Sequence, residues 1–479
     1  MTVRTRFAPS PTGHLHIGSA RTALFCYLYA KKHGGTYLLR IEDTDQARNK
    51  QNAEVGFMEG FEWLGLPWDE GPRVGGPHAP YTCMERLDIY RKYADQLLAT
   101  GQAYYCYCTE EEREAEREAL AAEGKMQGYS GKCRHLTEEQ KRQYEAEGRT
   151  KTVRFRVPEN RTYTFTDQIR GELSFESNGS GDFVIVKSDG IPTYNFAVTI
   201  DDHLMEITHV HRGEEHISNT PRQLMIYEAF GWEPPVFGHL PLILNETGKK
   251  LSKRDESIVQ FIDQYREMGY LPEALNNFLA LLGWSPVGEQ EIFSMEELIE
   301  QFDFDRVSKS GAIFDPDKLA WMNGQYIKAA ELDRIVELAI PHLQKAGRIS
   351  DDFDRSWVEQ LVALYKDGMN AVQEIVPLSS MFFTDEVTYD VEGKLILAEE
   401  QVPTVLAAFR DKILTLEDYT PDTIKGALKD VQKETGFKGK QLFMPVRVAA
   451  TGEVHGRDLN VTLALLGRDR VVSRLNALL

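Results

Sequence analysis

The sequence predicts an α/β Rossmann-type domain interrupted by an α+β insertion and followed by an all-α C-terminal region. Three observations carry that reading. The N-terminal residues run strand, helix, strand within one short βαβ unit, short strand-like runs intrude in mid-chain, and beyond about residue 325 almost every segment has amphipathic-helix spacing.

Taken in order, an apolar strand runs from Val3 to near Ala8, and a Pro/Gly turn follows from Pro9 to Gly18. A helix spans about Ser19 to His33 with Leu24, Tyr27 and Leu28 in its apolar stripe, and a second strand spans Tyr37 to Ile41. Gly34-Gly35 ends the helix, since glycine enters the left-handed conformation without a Cβ clash. From about 106 to 184 the pattern changes to a charged helix (Glu110 to Glu123), a Gly-rich hinge and strand-like alternation such as Val153 to Val157. Thr109 and Glu112 form a capping box at the start of that helix. Core patterns resume around Asp182 to Ile200 and near Gly238 to Leu244. The signals turn helical after Leu251, with Leu332, Ile335, Val336, Leu338, Ala339 and Leu343 marking one face.

With 479 residues, 42% of them hydrophobic, the chain can bury more than one core. The opening Met1-Thr2-Val3-Arg4 leads into no apolar leader, and no window reaches the roughly 18 apolar residues of a membrane span, so a cytoplasmic protein is expected. A net charge of −19 opposes nucleic-acid binding only if the field is uniform, because local Lys and Arg make phosphate contacts. The cysteines are Cys26, Cys83, Cys106, Cys108 and Cys133, and this odd, clustered set points to thiols and a metal rather than disulfides.

Three constellations carry chemistry. The first is Arg6-Phe7-Ala8-Pro9-Ser10-Pro11-Thr12-Gly13-His14-Leu15-His16-Ile17-Gly18-Ser19, in which Gly13 and Gly18 admit a ligand close to the backbone and His16 stands at a helix mouth whose free N–H groups favour phosphate. It is not the G-x-G-x-x-G of dinucleotide folds. The second is Gly248-Lys249-Lys250-Leu251-Ser252-Lys253-Arg254-Asp255, where cations can neutralise charge growing on a triphosphate. The third is Cys106-Tyr107-Cys108 with Cys133-Arg134-His135, three thiolates and an imidazole suited to tetrahedral, structural Zn²⁺. Alone, the first two read as a surface turn and a solvated lysine loop; their order along one chain gives them weight.

His16-Ile17-Gly18-Ser19 resembles the HIGH signature, and Lys250-Leu251-Ser252-Lys253-Arg254 the KMSKS signature, of class I aminoacyl-tRNA synthetases. Ser19 replaces the last histidine of the first, and Leu251 and Arg254 depart from the second. With Arg40-Ile41-Glu42-Asp43-Thr44-Asp45, Pro192 to Ala197, His211 to His216 and Trp321 to Tyr326, the chain is similar to bacterial glutamyl-tRNA synthetases end to end.

That resemblance implies a glutamate–tRNA ligase that makes glutamyl-adenylate from L-glutamate and Mg·ATP and passes the glutamyl group to tRNA, activation waiting for the tRNA. It implies catalytic roles for His16, Lys250, Ser252 and Lys253. Arg6, Ala8, Ser10, Glu42, Tyr194 and Arg212 become glutamate contacts, Arg offering a fork to a carboxylate and Glu42 a partner for the ammonium. His16, Gly18, Glu215, Ile243 and Lys253 become ATP contacts. The expected segments are 1–105 and 185–245 for the Rossmann-type catalytic domain and 106–184 for an acceptor-stem-binding insertion with the zinc site. A KMSKS loop and helical stem-contact domain follows at 246–324, then an all-α anticodon-binding region at 325–479. Partners are tRNA-Glu, glutamate and ATP, with a monomer expected and no membrane. Gly368 stands where some relatives that reject tRNA-Gln carry arginine, so tRNA-Gln is a second candidate substrate. The rival readings are a truncated base-modifying paralogue, a glutaminyl-tRNA synthetase and a non-catalytic tRNA-binding protein on a synthetase scaffold.

Overall fold

The computed structural model describes residues 2–11, 13–47, 53–122, 129–251 and 259–479, so Ser252 and Lys253 lie outside the described residues. The chain divides into two compact units, Met1–Tyr265 with Pro272–Pro316, and Arg266–Leu271 with Asp317–Leu479.

The first unit is built on four parallel strands, β1 (Arg4–Phe7), β2 (Thr36–Leu39), β3 (His209–Gly213) and β4 (Val236–Leu240), in the order β2-β1-β3-β4. Tyr37, Leu38 and Leu39 are all buried, as a parallel strand covered on both faces requires. The crossover from β1 to β2 is the helix α1 (Ile17–Lys32). It starts two residues before the expected Ser19 because His16 caps it, Nδ1 accepting from the Gly18 N–H at 3.0 Å. The expected single stripe is also too narrow. Every residue from Ala23 to Ala30 is buried, which makes α1 a core helix. The two glycines beyond it divide the work: Gly34 has φ +59°, and a Cβ on Gly35 would stand 2.1 Å from the Val3 carbonyl oxygen.

The insertion holds a three-stranded antiparallel sheet, Ala103–Cys106, Thr152–Phe155 and Val184–Val186, and a hairpin of Thr162–Asp167 with Gly171–Glu176. Its first strand begins just before the expected boundary at 106. The capping box forms as expected, Glu112 N–H donating to Thr109 Oγ1 at 3.2 Å and Thr109 N–H to Glu112 Oε2 at 3.1 Å.

The second unit is helical, with no strand among its described residues. In its helix Leu332–Lys345 the residues Ile335, Val336, Ala339 and Leu343 are buried while Leu332 and Leu338 are half-buried, so the 3.6-residue pattern held. After α2 (Arg355–Tyr365) comes a tight turn, Lys366–Gly368. A Cβ on Gly368 would lie 1.7 Å from a terminal guanidinium nitrogen of Arg457, which rests over the Tyr365 ring at 5.7 Å.

Beneath the parallel sheet runs a buried chain of alternating charges. Arg6 donates from Nε and Nη2 to Asp202 at 3.0 and 3.1 Å. Arg40 reaches Asp202 and Glu42, each at 2.9 Å, and Arg86 and Tyr90 donate to Asp201 at 2.8 and 2.5 Å. Burial is the largest influence on Arg40 and opposes its charge, but Asp202, Glu42 and Asp201 together outweigh it and raise its pKa. Asp202 is likewise held below the usual carboxylate range: burial opposes its charge, and Arg6 and Arg40 prevail. Replacing Arg40 by Met therefore leaves buried carboxylates uncompensated. The expected cost to the first unit is about 3–5 kcal/mol, read as a lowered urea midpoint.

Candidate active site

A cavity of about 530 Å³ opens at the C-terminal ends of β1, β3 and β4, on either side of the point where the strand order reverses. Open α/β sheets bind ligands at such switch points. Arg6, Ala8, Ser10, His16, Gly18, Glu42, Tyr194, Arg212, Glu215, Ile243 and Lys250 all line it, so every described residue expected to touch glutamate or ATP is brought to one place.

The electrostatics of the cavity turn on two arginines. Arg6 is already committed through Nε and Nη2 to Asp202. Arg212, equally buried, donates to Thr220 Oγ1 at 2.8 Å, to His239 Nε2 at 3.2 Å and to Tyr194 Oη at 3.5 Å, and forms no ion pair among the described residues. Burial lowers its pKa, an effect the Tyr194 phenol only partly offsets. His216 on the same wall is pushed down to about 3 by burial and the charges of Arg212 and Arg6, and so stays neutral. A buried guanidinium without a counter-ion is a strong attractor for a carboxylate. Across the cavity, Glu42 offers one oxygen to Arg40 at 2.9 Å, and burial raises its pKa despite that arginine.

Another part of the cavity wall is built from α1 and a short hairpin. His16 Nδ1 caps α1, which leaves the proton on Nε2, 3.1 Å from Gln260 Oε1. A Cβ on Gly18 would press on His16 Nδ1 at 3.3 Å, so glycine keeps the helix mouth open. Glu215 folds back over Gly213, where a Cβ would meet its carboxylate at 2.2 Å. Leu251 N–H donates to the Ile243 carbonyl at 3.0 Å, fastening the segment that carries Lys250 beside Ile243.

The cysteine group differs in one member from expectation. The sulfurs of Cys106, Cys108 and Cys133 lie within 4.8 Å of one another. His135 is exposed and is not in that group. The hydroxyl of Tyr129 stands there instead, 3.5 Å from Cys106 Sγ, 3.9 Å from Cys108 Sγ and 2.8 Å from the Cys133 N–H. Hydrogen bonds from Cys108 and Cys133 hold the Cys106 thiol far below its usual range.

Sequence reasoning missed the residues that hold the cavity's arginines. Asp202 lies 196 residues from Arg6, and Asp167, in the insertion hairpin, bonds His239 across 72 residues at 2.6 Å. No local pattern marks either of them; only the unusual density of charge in otherwise apolar segments could have suggested partners.

Residues 2–321 match the catalytic domain of class I tRNA synthetases (E and Q), and residues 334–479 match an anticodon binding domain. The chain belongs to the class I tRNA synthetases of that E and Q group. Glutamate–tRNA ligases of Bacillus subtilis and Exiguobacterium sibiricum are 57% and 59% identical to it over 476 and 478 residues, covering 99% of both chains in each case. The crystal structure of a glutamate tRNA ligase from Elizabethkingia meningosepticum in complex with its amino acid superposes with TM-score 0.90 at 37% identity, over 100% of this chain and 99% of that one. Within the family the chain is a glutamate–tRNA ligase, and identity over its whole length disfavours the non-catalytic scaffold reading. Among the described residues no helix is long and apolar enough to cross a membrane.

The uncompensated charge of Arg212 yields a direct expectation. Arg212→Ala should raise KM for glutamate by on the order of a hundredfold or more, the cost of removing one side of a buried charge pair, while KM for ATP stays within about twofold of the unmodified enzyme's. Steady-state aminoacylation with each substrate varied in turn measures both.

Proposed function

We propose that the cavity activates L-glutamate with Mg·ATP and that its residues divide the task as follows. Arg212, helped by Tyr194 and Arg6, holds a carboxylate of glutamate; Glu42 holds the ammonium; Ala8 and Ser10 border the amino acid. Gly18, Glu215 and Ile243 enclose the nucleoside. His16, Lys250, Ser252 and Lys253 stabilise the charge that develops when the glutamate carboxylate attacks the α-phosphorus and pyrophosphate departs, Mg²⁺ neutralising the phosphates as part of the substrate. The terminal ribose hydroxyl of tRNA-Glu then takes the glutamyl group. The observation that carries the reading is the buried, unpaired guanidinium of Arg212 in the same cavity as the His16-capped helix.

The segments take their roles with it: 1–105 and 185–245 catalytic, 106–184 for the acceptor stem, 246–324 for the KMSKS loop and stem contact, and 325–479 for the anticodon, in a cytoplasmic monomer. Extension to tRNA-Gln does not follow from Gly368 alone, because Arg457 covers that glycine. Charging purified tRNA-Gln with labelled glutamate decides it.

His16→Ala and Lys253→Ala should each slow adenylate formation by on the order of a hundredfold, about 3 kcal/mol, with folding unchanged. Near-normal single-turnover rates in both variants would overturn the assignment.

The sulfurs of Cys106, Cys108 and Cys133 would supply three thiolate ligands to a structural Zn²⁺, with the Tyr129 oxygen beside them. Such a metal would stabilise the insertion and take no part in the chemistry. One zinc per chain is expected by elemental analysis, lost on Cys133→Ser, and His135→Ala should retain it.

A further inference from the structure

The turn Asp167–Arg170, at the tip of the insertion hairpin, is docked against β3 and β4. Gln168 N–H donates to the Phe237 carbonyl at 2.8 Å, Gln168 Oε1 lies 2.9 Å from His211 Nε2, and Arg170 pairs with Glu214. The most buried of these contacts belongs to Asp167. One of its oxygens accepts from the Ile169 and Arg170 N–H groups at 3.0 and 2.8 Å, which closes the turn. The other lies 2.6 Å from His239 Nδ1, both side chains being 0% exposed.

That contact fixes the tautomer of His239. With the proton on Nδ1 facing the carboxylate, Nε2 is left as an acceptor, and it meets Arg212 Nε at 3.2 Å and Thr220 Oγ1 at 3.2 Å. Burial, reinforced by Arg212, keeps His239 below the usual imidazole range although Asp167 opposes this, so the ring is a neutral acceptor. The guanidinium is thereby held at Nε by His239 and at one terminal nitrogen by Thr220, which leaves its remaining edge toward Tyr194.

We infer that Asp167 and His239 are positioning residues for glutamate: the insertion turn, through the His239 ring, fixes the plane of the Arg212 guanidinium against the substrate carboxylate. This rests on the reading of Arg212 as the glutamate-binding cation. A flexible arginine would lose side-chain freedom on binding each substrate molecule, and anchoring it in advance removes that cost. A neutral histidine suits the role because a second cation or an anion beside Arg212 would repel it or satisfy it before glutamate arrives.

The test compares Arg212→Ala, Asp167→Asn, His239→Leu and His239→Gln, with the melting temperature of each recorded. Glutamine at 239 keeps an acceptor for Arg212 and leucine does not. His239→Leu and Asp167→Asn should raise KM for glutamate about tenfold or more, the value of a hydrogen bond to a charged group. KM for ATP and kcat at saturating glutamate should stay near those of the unmodified enzyme, and His239→Gln should recover most of the loss. In Arg212→Ala/His239→Leu the second substitution should add nothing to the first. If Arg212→Ala raises KM for glutamate while His239→Leu folds and leaves it unchanged, or if His239→Gln is as impaired as His239→Leu, the relay is overturned and the Arg212 assignment stands. If Arg212→Ala itself leaves KM for glutamate unchanged, the assignment beneath it fails instead.

Discussion

Asp202 lies between two guanidinia, those of Arg6 and Arg40, with no side chain of the three more than about one-twentieth exposed. Everything in the catalytic unit is arranged around that contact. Arg6 comes from β1, Arg40 from the end of β2, and Asp202 from the helix Tyr194–Leu204, so a single carboxylate pins the first βαβ crossover to a helix nearly two hundred residues later. A buried ion network is costly to assemble and costlier to break, because each charge has lost its water. Arg6, Arg40 and Arg86 are matched in number by Glu42, Asp201 and Asp202. The network is therefore closed with respect to charge. Arg212 stands outside it, a buried cation with no ion pair among the described residues.

The parts of this architecture that depend on neighbours in sequence were legible. The turn before α1, the two glycines after it, the Thr109 capping box and the helical face of Ile335, Val336, Ala339 and Leu343 are all set within a few residues. The resemblance to glutamyl-tRNA synthetases went further and gathered Arg6, Glu42, Tyr194 and Arg212, which converge in the structure. What remained illegible is tertiary. A helix buried all round gives no amphipathic stripe, so α1 was drawn too late and too narrow. The partners of the arginines, Asp202, Thr220, His239 and Asp167, are ordinary residues in their own segments and acquire meaning only across the sheet.

The cysteine site illustrates the same limit on a smaller scale. Spacing selected His135 because a C-x-H ending is a familiar ligand pair, and three of the four expected donors do gather. The chain turns after Cys133 so that Arg134 bonds the Val157 carbonyl and Asp182 while His135 faces solvent. Tyr129, which has no place in a ligand motif, arrives through the fold, and the cation of Arg154 lies 3.8 Å over its ring. Motif spacing constrains which residues are near one another along the chain; it does not fix which way the last of them points.

Gly368 and Arg457 form a pair of another kind. The guanidinium of Arg457 lies where the first atom of any side chain at 368 would be, so the two positions compete for one volume. An arginine rooted at 368 and the present placement of Arg457 are mutually exclusive, yet either could deliver positive charge to the same spot above Tyr365. The two positions are thus a single locus with two possible owners. In this chain the cation at that spot is rooted at Arg457.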